Sequence, residues 1–520
     1  MRQQEDGSVI LGHLCLRMSK HNKNFTNIKK IKQFVLTINK FCVTLKKSYY
    51  KGAFKLMKIK KLLFCRFRII DFCLAILITI SCSGCNEMNE KNYSAISPIL
   101  NNIPRKAVHI KQYDSPYTIG YRNPDDTYTL YTFASPIQFR TNDGYKIIDN
   151  SIIISERDGY LYENKSNNIK TYFPQKISDY FLVEYNHIFI KFKPCFDTSG
   201  FSDAKVKTLK NMFGDYVNSA VYESKNVDLI FYPVKSGIRL EVLIKSKEAN
   251  SLYEFEVITS AKHYEDKKNG YILFKNKTDC EGVIYTPVVE SYANNEDNIN
   301  VNDLNNQAQI TQISDGIYKL SINHDFQVSG KTQYPLSFDT SFELYLNKIP
   351  DSTVYSETDY NMYLKQYVVA GTHPLWGEGI HYIRLRLQNI IGTDSTKIIK
   401  AYYGLKVLYT SGAPTVMLSR CNQQWSSMQM VWDSHPLVGN EITKLEKQVE
   451  GYNQIDITSF VKDCYEDPDM LMESTGMILT AEGGYIVCAS SDHSLYPSYF
   501  TLQLTSQPSY FIEKQNINDN

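Results

Sequence analysis

The sequence predicts an all-β fold built from sandwiches or barrels, and three observations carry that expectation. Tyrosine and phenylalanine number 39 and 25, and aromatic side chains suit a half-buried pleated surface. Many short runs alternate polar and apolar residues with a period of two, as a strand with one buried face must. Turn-forming clusters rich in Gly, Asp and Asn separate these runs.

Taken in order, the strand-like runs are "TYTLYTF" (127–133), "IRLEV" (238–242), "YKLSIN" (318–323), "SFELYL" (341–346), "YIRLRL" (382–387) and "FTLQL" (500–504). Turn signals include "NPDD", "RDG", "KKNG" and "SG". Short strands with frequent turns indicate sandwiches or barrels. No repeat of 20 to 50 residues occurs, which argues against a solenoid or propeller. An Asn/Asp-rich stretch at 292–309 reads as a long loop, and "NKIPDSTVYSETDYN" (347–361) reads as the domain boundary. In "QIDITSF", Asp456 is placed to cap the amides of a turn or helix through "TSFVKDCYED". Asp149 and Asp158-Gly159 occupy hairpin positions and read as structural.

The N-terminal part reads differently. Basic residues from Lys58 to Arg68 precede the apolar run "FCLAILITI" (72–80), which is shorter than the ~20 residues a bilayer-spanning helix needs. A basic head, a short apolar run and small residues make a secretory signal over 57–85. The small residues lead directly into Cys85, which resembles the lipobox of bacterial lipoproteins. That resemblance implies a diacylated Cys85 thiol with cleavage before it, Cys82 being the alternative. Met57 is then the expected initiator and 1–56 a misassigned extension, or else a basic amphipathic segment for a membrane surface. Residues 86–106, polar and Asn-rich, read as a flexible tether.

Residues 1–85 carry 17 Lys+Arg against 3 Asp+Glu, and the remainder carries 40 against 52. The part after the leader is therefore acidic, which argues against nucleic acid as a partner, since phosphate backbones require a basic face. Its five cysteines (Cys195, Cys280, Cys421, Cys464, Cys488) include no close pair with zinc or redox spacing. They are expected to be mostly buried free thiols. No catalytic residue, metal ligand set or cofactor motif is named. "SGKT" (329–332) lacks the glycine of a phosphate loop, Asp325 standing in its place, and reads as a hairpin turn. Among the histidines, His373 with His381 and His435 with His493 are the pairs placed to meet, and each reads as an ordinary surface or core residue.

All three tryptophans follow the expected boundary: Trp376, Trp425 and Trp432. Aromatic rings can present flat faces to sugars while polar neighbours hold hydroxyls, although tryptophan in a sandwich usually belongs to the core. The spacing of Trp425 and Trp432 puts their rings on opposite faces of a regular strand, and on one face only if a turn or bulge intervenes. Trp376, in the Gly-rich "HPLWGEGIHY", is the ring expected to be exposed.

The C-terminal part resembles the DNRLRE-type β-module, classed among carbohydrate-binding modules. The features run in order: "DSTVYSETDYNMYLKQYVVAG" (351–371), "YIRLRL" (382–387), "AYYGLKVLY" (401–409), "WSSMQMVWDSHP" (425–436), "QIDITSFVKD" (454–463) and "CASSDHSLYPSYFTLQL" (488–504). The part before it is similar to the repeat-free N-terminal β-region of wall-associated and Rhs-type surface proteins, through "SPIQFRTNDGYKIIDNSI" (135–152), "DGYLYENKSNNIKTYFP" (158–174), "AVYESKNVDLIFYPVKSGIRLEVLI" (220–244) and "YPLSFDTSFELY" (334–345). The tyrosine-aspartate repeats and toxin tip of those proteins are absent, so toxin delivery is not implied.

The resemblances imply an N-terminal β-sandwich-like domain over 107–349, a C-terminal jelly-roll β-sandwich over 350–508 and a polar tail at 509–520. The expected protein is non-catalytic, lipid-anchored and surface-exposed. It is held at the membrane by its N-terminal lipid and binds polysaccharide or cell-wall glycan through Trp376, Tyr382, Trp425 and Trp432. The competing readings are a structural stalk that contacts proteins through strand edges and a polysaccharide-degrading enzyme without a recognisable motif.

Overall fold

The computed structural model describes residues 102–507, apart from 211–215, 267–270, 277–278, 291–306, 324–333, 345–350, 358–366, 375, 385–394, 427–429, 446–449, 468–475, 492 and 494–495. Cys85 and Cys82, the extension 1–56, the signal 57–85, most of the tether, the "SGKT" turn and the tail 509–520 lie outside the described residues. Among the described residues the chain is nearly all antiparallel strand, with one α-helix and a few 3-10 turns, a sandwich-type all-β fold as expected. None of the described helices is long and apolar enough to cross a membrane.

The pleat explains the strands. In Leu252–Thr259, Tyr253, Phe255 and Val257 are buried while Glu254 and Glu256 are half-exposed. Its neighbour Ile188–Pro194 buries Ile190 and Phe192 and turns Lys191 and Lys193 outward. Opposite charges then meet across strands, Lys193 with Glu256 at 3.4 Å and Lys319 with Glu254 at 2.6 Å. Such exposed pairs contribute at most ~1 kcal/mol each; their main effect is to keep this face solvated.

That face belongs to an eight-stranded sheet running in space as Asp149–Ile154, Tyr162–Ser166, Lys170–Phe173, Phe181–Tyr185, Ile188–Pro194, Leu252–Thr259, Ile317–Asn323 and Gln307–Ser314. A second eight-stranded sheet runs Lys205–Lys210, Tyr216–Glu223, Val227–Val234, Gly237–Ile244, Leu336–Leu344, Asp279–Glu290, Tyr271–Asn276 and His263–Asp266. Their inner faces share one core. Phe192 stacks on Phe342 at 3.7 Å, and Phe181 on Phe231 at 4.1 Å, so rings from the two sheets interleave. The outer face of the second sheet is buried as well over its middle strands. Val221, Ile230, Tyr232 and Val234 cluster there, and Arg239 donates to Asp339 between adjacent strands. A charge taken out of water is retained only when paired.

The third sheet has eleven strands. Its axis is Ile398–Cys421, 24 residues long. One edge of this strand pairs with Tyr499–Leu504 and then Gly476–Ala489; the other pairs with Gly451–Asp456 and then Glu441–Leu445. Register shifts at Val407/Tyr409 and Gly412/Thr415 interrupt it, and bulges of this kind bend a strand. Beyond Gly476–Ala489 come Tyr367–His373, Gly377–Ile383 and Ser352–Tyr355. The core beneath draws on Val368, Leu405, Leu418, Leu479 and Leu502 and is closed by the helix Thr458–Glu466 through Phe460, Val461 and Cys464. Asp456 accepts from the Thr458 amide at 2.9 Å and from its hydroxyl, where the helix starts. Burial raises the Asp456 pKa, but hydrogen bonds from Thr458 and Lys400 outweigh it and hold the carboxyl below its usual range.

The boundary at 347–361 separates the two large blocks of strands, yet the first strands fall on the other side of it. Val108–His109, Thr118–Arg122 and Tyr128–Phe133 extend the C-terminal sheet, because Tyr128–Phe133 pairs with Tyr499–Leu504 from Tyr128↔Leu504 to Phe133↔Tyr499. The reason is burial on both faces: Leu130 enters the core under the helix, while Tyr131 and Phe133 pack with Ile119, Ile137 and Tyr499 on the other side. A strand buried on both faces needs partners along both edges. The blocks also touch through Lys235, whose ammonium donates to Ser135 Oγ at 2.8 Å.

Cys421, Cys464 and Cys488 are buried and unpaired, while Cys195 is exposed. Burial raises all three buried thiols, that of Cys464 to about 12, which makes them poor nucleophiles. The stacked rings give a direct test of the first core. Replacing Phe192 by Ala should lower stability by roughly 3–5 kcal/mol, read by chemical denaturation; an unchanged midpoint would overturn the role given to that ring.

Candidate functional site

The third sheet carries a row of half-exposed aromatic rings. Trp376 lies in the turn between Tyr367–His373 and Gly377–Ile383, where His373 registers with Gly377. The turn is tied down from a neighbouring segment: Glu357 N–H donates to the Trp376 carbonyl at 3.1 Å, and Ser356 N–H to that of Glu378 at 3.0 Å. The indole is thereby held half-exposed, stacked on His373 at 4.6 Å and tilted against Tyr355 at 5.2 Å. His373 in turn meets the edge of Tyr485 at 4.8 Å, and Tyr485 lies 6.1 Å from Tyr409. Trp376, Tyr485 and Tyr409 are each partly open to solvent.

Local backbone conformation makes room for this row. Tyr485 registers with Gly371 on one side and Ser411 on the other, so its ring rises between two small neighbours. Gly371 has φ +99°, and a Cβ there would lie 2.3 Å from the Gly484 carbonyl. Gly484, at φ +155°, would place one 2.1 Å from the Ser411 carbonyl. Only glycine lets the backbones approach this closely. Ser411 lies beside Tyr485 in register, and exposed Thr372 and Glu378 face each other across the Trp376 hairpin. Flat rings flanked by hydroxyl and carboxylate groups are the chemistry that holds a sugar.

The other three sequence candidates form a different group. Tyr382 is 0% and Trp425 8% exposed, both in a cluster with Val354, Ile380, Cys421, Met430 and Ile478. Neither offers a free ring face. Tyr382 donates to the Pro436 carbonyl at 2.6 Å and lies 2.7 Å from His435 Nδ1. The chain leaves the strand after Cys421, and Trp425 and Trp432 both reach one cluster. Trp432 stays half-buried, tilted on His435 at 4.9 Å. Tyr485 and Tyr409 escaped sequence reasoning because tyrosine is so common here; the signal present was their position beside "EGG" and "SG" glycines.

One buried group contains a serine, an aspartate and a histidine. Asp351 accepts from the Ser491 hydroxyl at 2.6 Å and its amide at 2.7 Å, and Asp351 Oδ2 lies 3.3 Å from His381 Nε2. His381 Nδ1 lies 3.0 Å from Thr353 Oγ1 and 3.2 Å from the Ser352 carbonyl. The aspartate stands between the other two, whereas an activated serine needs the base in contact with its own hydroxyl. All three are at most 5% exposed. The group clamps the start of Ser352–Tyr355 to the segment after Gly476–Ala489. Among the described residues no three His, Cys, Asp or Glu side chains converge as metal ligands.

No family model matches the chain, and no curated protein matches it.

Burial lowers the pKa of His373 from the ordinary 6.5. A depressed folded-state value means that the stability contributed by the neutral ring is present above 6.5 and is lost as pH falls through the lower folded value. An imidazole NMR titration of the folded chain should give a His373 midpoint under 6.5; a higher midpoint would contradict the burial argument.

Proposed function

We propose that this is an exported, lipid-anchored bacterial surface protein that holds a polysaccharide or cell-wall glycan on the row formed by Trp376, Tyr485 and Tyr409. The carrying observation is that row of partly open rings, fixed on a glycine-shaped bend of the sheet and bordered by Ser411, Thr372 and Glu378. The resemblance of 350–508 to a DNRLRE-type module and the lipobox-like "SCSGC" support the same reading. A stalk that contacts other proteins is a second reading, favoured by the edge strand Asp149–Ile154, where Ile153 and Ile154 are 39% and 75% exposed.

Affinity electrophoresis of the chain from residue 86 onward against wall, plant, algal and host polysaccharides tests it. Trp376→Ala should weaken binding by about tenfold or more, about 1.4 kcal/mol, with the melting temperature kept. Trp425→Ala should act instead through stability. Absence of binding across the panel would leave the stalk. For the anchor, Cys85→Ser should abolish incorporation of labelled fatty acid into the full-length chain in cells; persistent labelling would move the modification to Cys82 or another group.

A further inference from the structure

Arg384 immediately follows the strand Gly377–Ile383, at the end opposite Trp376. Its guanidinium lies 4.3 Å over the ring of Trp425, and Nη2 donates to the Trp425 carbonyl. Its buried Nε–H has no acceptor among the described residues. No carboxylate of the described residues pairs with it, although the side chain is only half-exposed. Among the described residues other shielded cations meet a carboxylate: Arg239 with Asp339, Lys245 with Asp228 and Arg420 with Asp463. Arg384 has no such carboxylate among the described residues, and desolvation lowers its pKa.

A partly desolvated cation costs free energy unless an anion offsets it. Stacking on Trp425 fixes the plane of the guanidinium, and a planar fork of donors held in place fits a carboxylate or phosphate. The surroundings suit a ligand that also has an apolar part. Trp432 and His435 are half-buried in the same cluster, and Leu437 and Val438 are 74% and 44% exposed in the segment that follows.

We propose that Arg384, laid on Trp425, binds the oxyanion of an acidic ligand, the carboxylate of a uronic-acid polymer or the phosphodiester of a phosphate polymer. The seven residues of the strand Gly377–Ile383 separate it from Trp376, eight residue steps or roughly 26 Å at about 3.3 Å per step. It is thus a separate site and does not rest on glycan stacking at Trp376.

The test is calorimetry of the chain from residue 86 onward with polygalacturonate, with a poly(glycerol phosphate) and with neutral dextran as probes, at low and at raised salt. The expected result is binding to one or both anionic polymers, weakened by salt, and lost about tenfold or more in Arg384→Gln. Arg384→Lys should fall in between, since it keeps the charge without the planar fork. Which anionic probe binds identifies the source of the oxyanion. The fold-loss caused by Arg384→Gln should be the same in a Trp376→Ala background, since the two sites are separate. Removing an uncompensated charge should also leave the melting temperature of Arg384→Gln unchanged or higher. Equal binding by wild type and both variants, or no anion binding at all, would overturn the proposal. So would a lowered melting temperature in Arg384→Gln without loss of anion affinity, since it would assign the residue to packing.

Discussion

The C-terminal half depends on one constraint: a single long strand, Ile398–Cys421, must find strand partners along both of its edges, and only 408–415 on one edge and the strand's ends go without. It does so by changing partners partway, from Tyr499–Leu504 to Gly476–Ala489 on one edge and from Gly451–Asp456 to Glu441–Leu445 on the other. Buried backbone groups left unpaired are costly, so the irregularities at Val407/Tyr409 and Gly412/Thr415 fall where the sheet turns. The glycines at this bend then determine which side chains remain partly uncovered. Tyr485 and Tyr409 belong to the turning region, and their accessibility follows from the backbone requirement.

The first half is organised by side-chain interdigitation. Two eight-stranded sheets meet through stacked phenylalanines, and their outer faces differ. One bears half-exposed cross-strand ion pairs such as Lys319 with Glu254; the other buries Tyr232, Arg239 and Asp339. Strands of the first sheet therefore alternate clearly in sequence, while "VDLIFYPV" (227–234) is apolar nearly throughout.

That contrast explains how much was legible beforehand. Runs with one solvated face, such as "YKLSIN", disclosed both their conformation and their buried residues, because a period of two is a local property. Asp456 was legible too, since its bond to Thr458 spans two residues. Pairing between distant strands left no such local mark. "TYTLYTF" was recognisable as a strand, but nothing in it says that its partner begins at Tyr499. The candidate site divides in the same way. Trp376 stood out by its glycine-rich turn, whereas the burial of Tyr382 and Trp425 depends on how the segment after Cys421 folds back. The isolation of Arg384 is a fact about which acids lie elsewhere, and no motif encodes it.

The pairing of Tyr128–Phe133 with Tyr499–Leu504 makes the double-sheet block an insertion within another domain. During synthesis the inserted block can complete its strands as soon as Leu344 has emerged, since its strand partners all lie between 149 and 344. The strands at 108–133 must wait for a partner made more than 350 residues later, and contacts of such separation form slowly. Until then, Tyr128–Phe133 presents an open edge and two apolar faces, a template for unwanted strand pairing. Tyr499–Leu504 acts as a clasp, so truncation just before Tyr499 would leave the inserted block whole and the enclosing domain open at its seam.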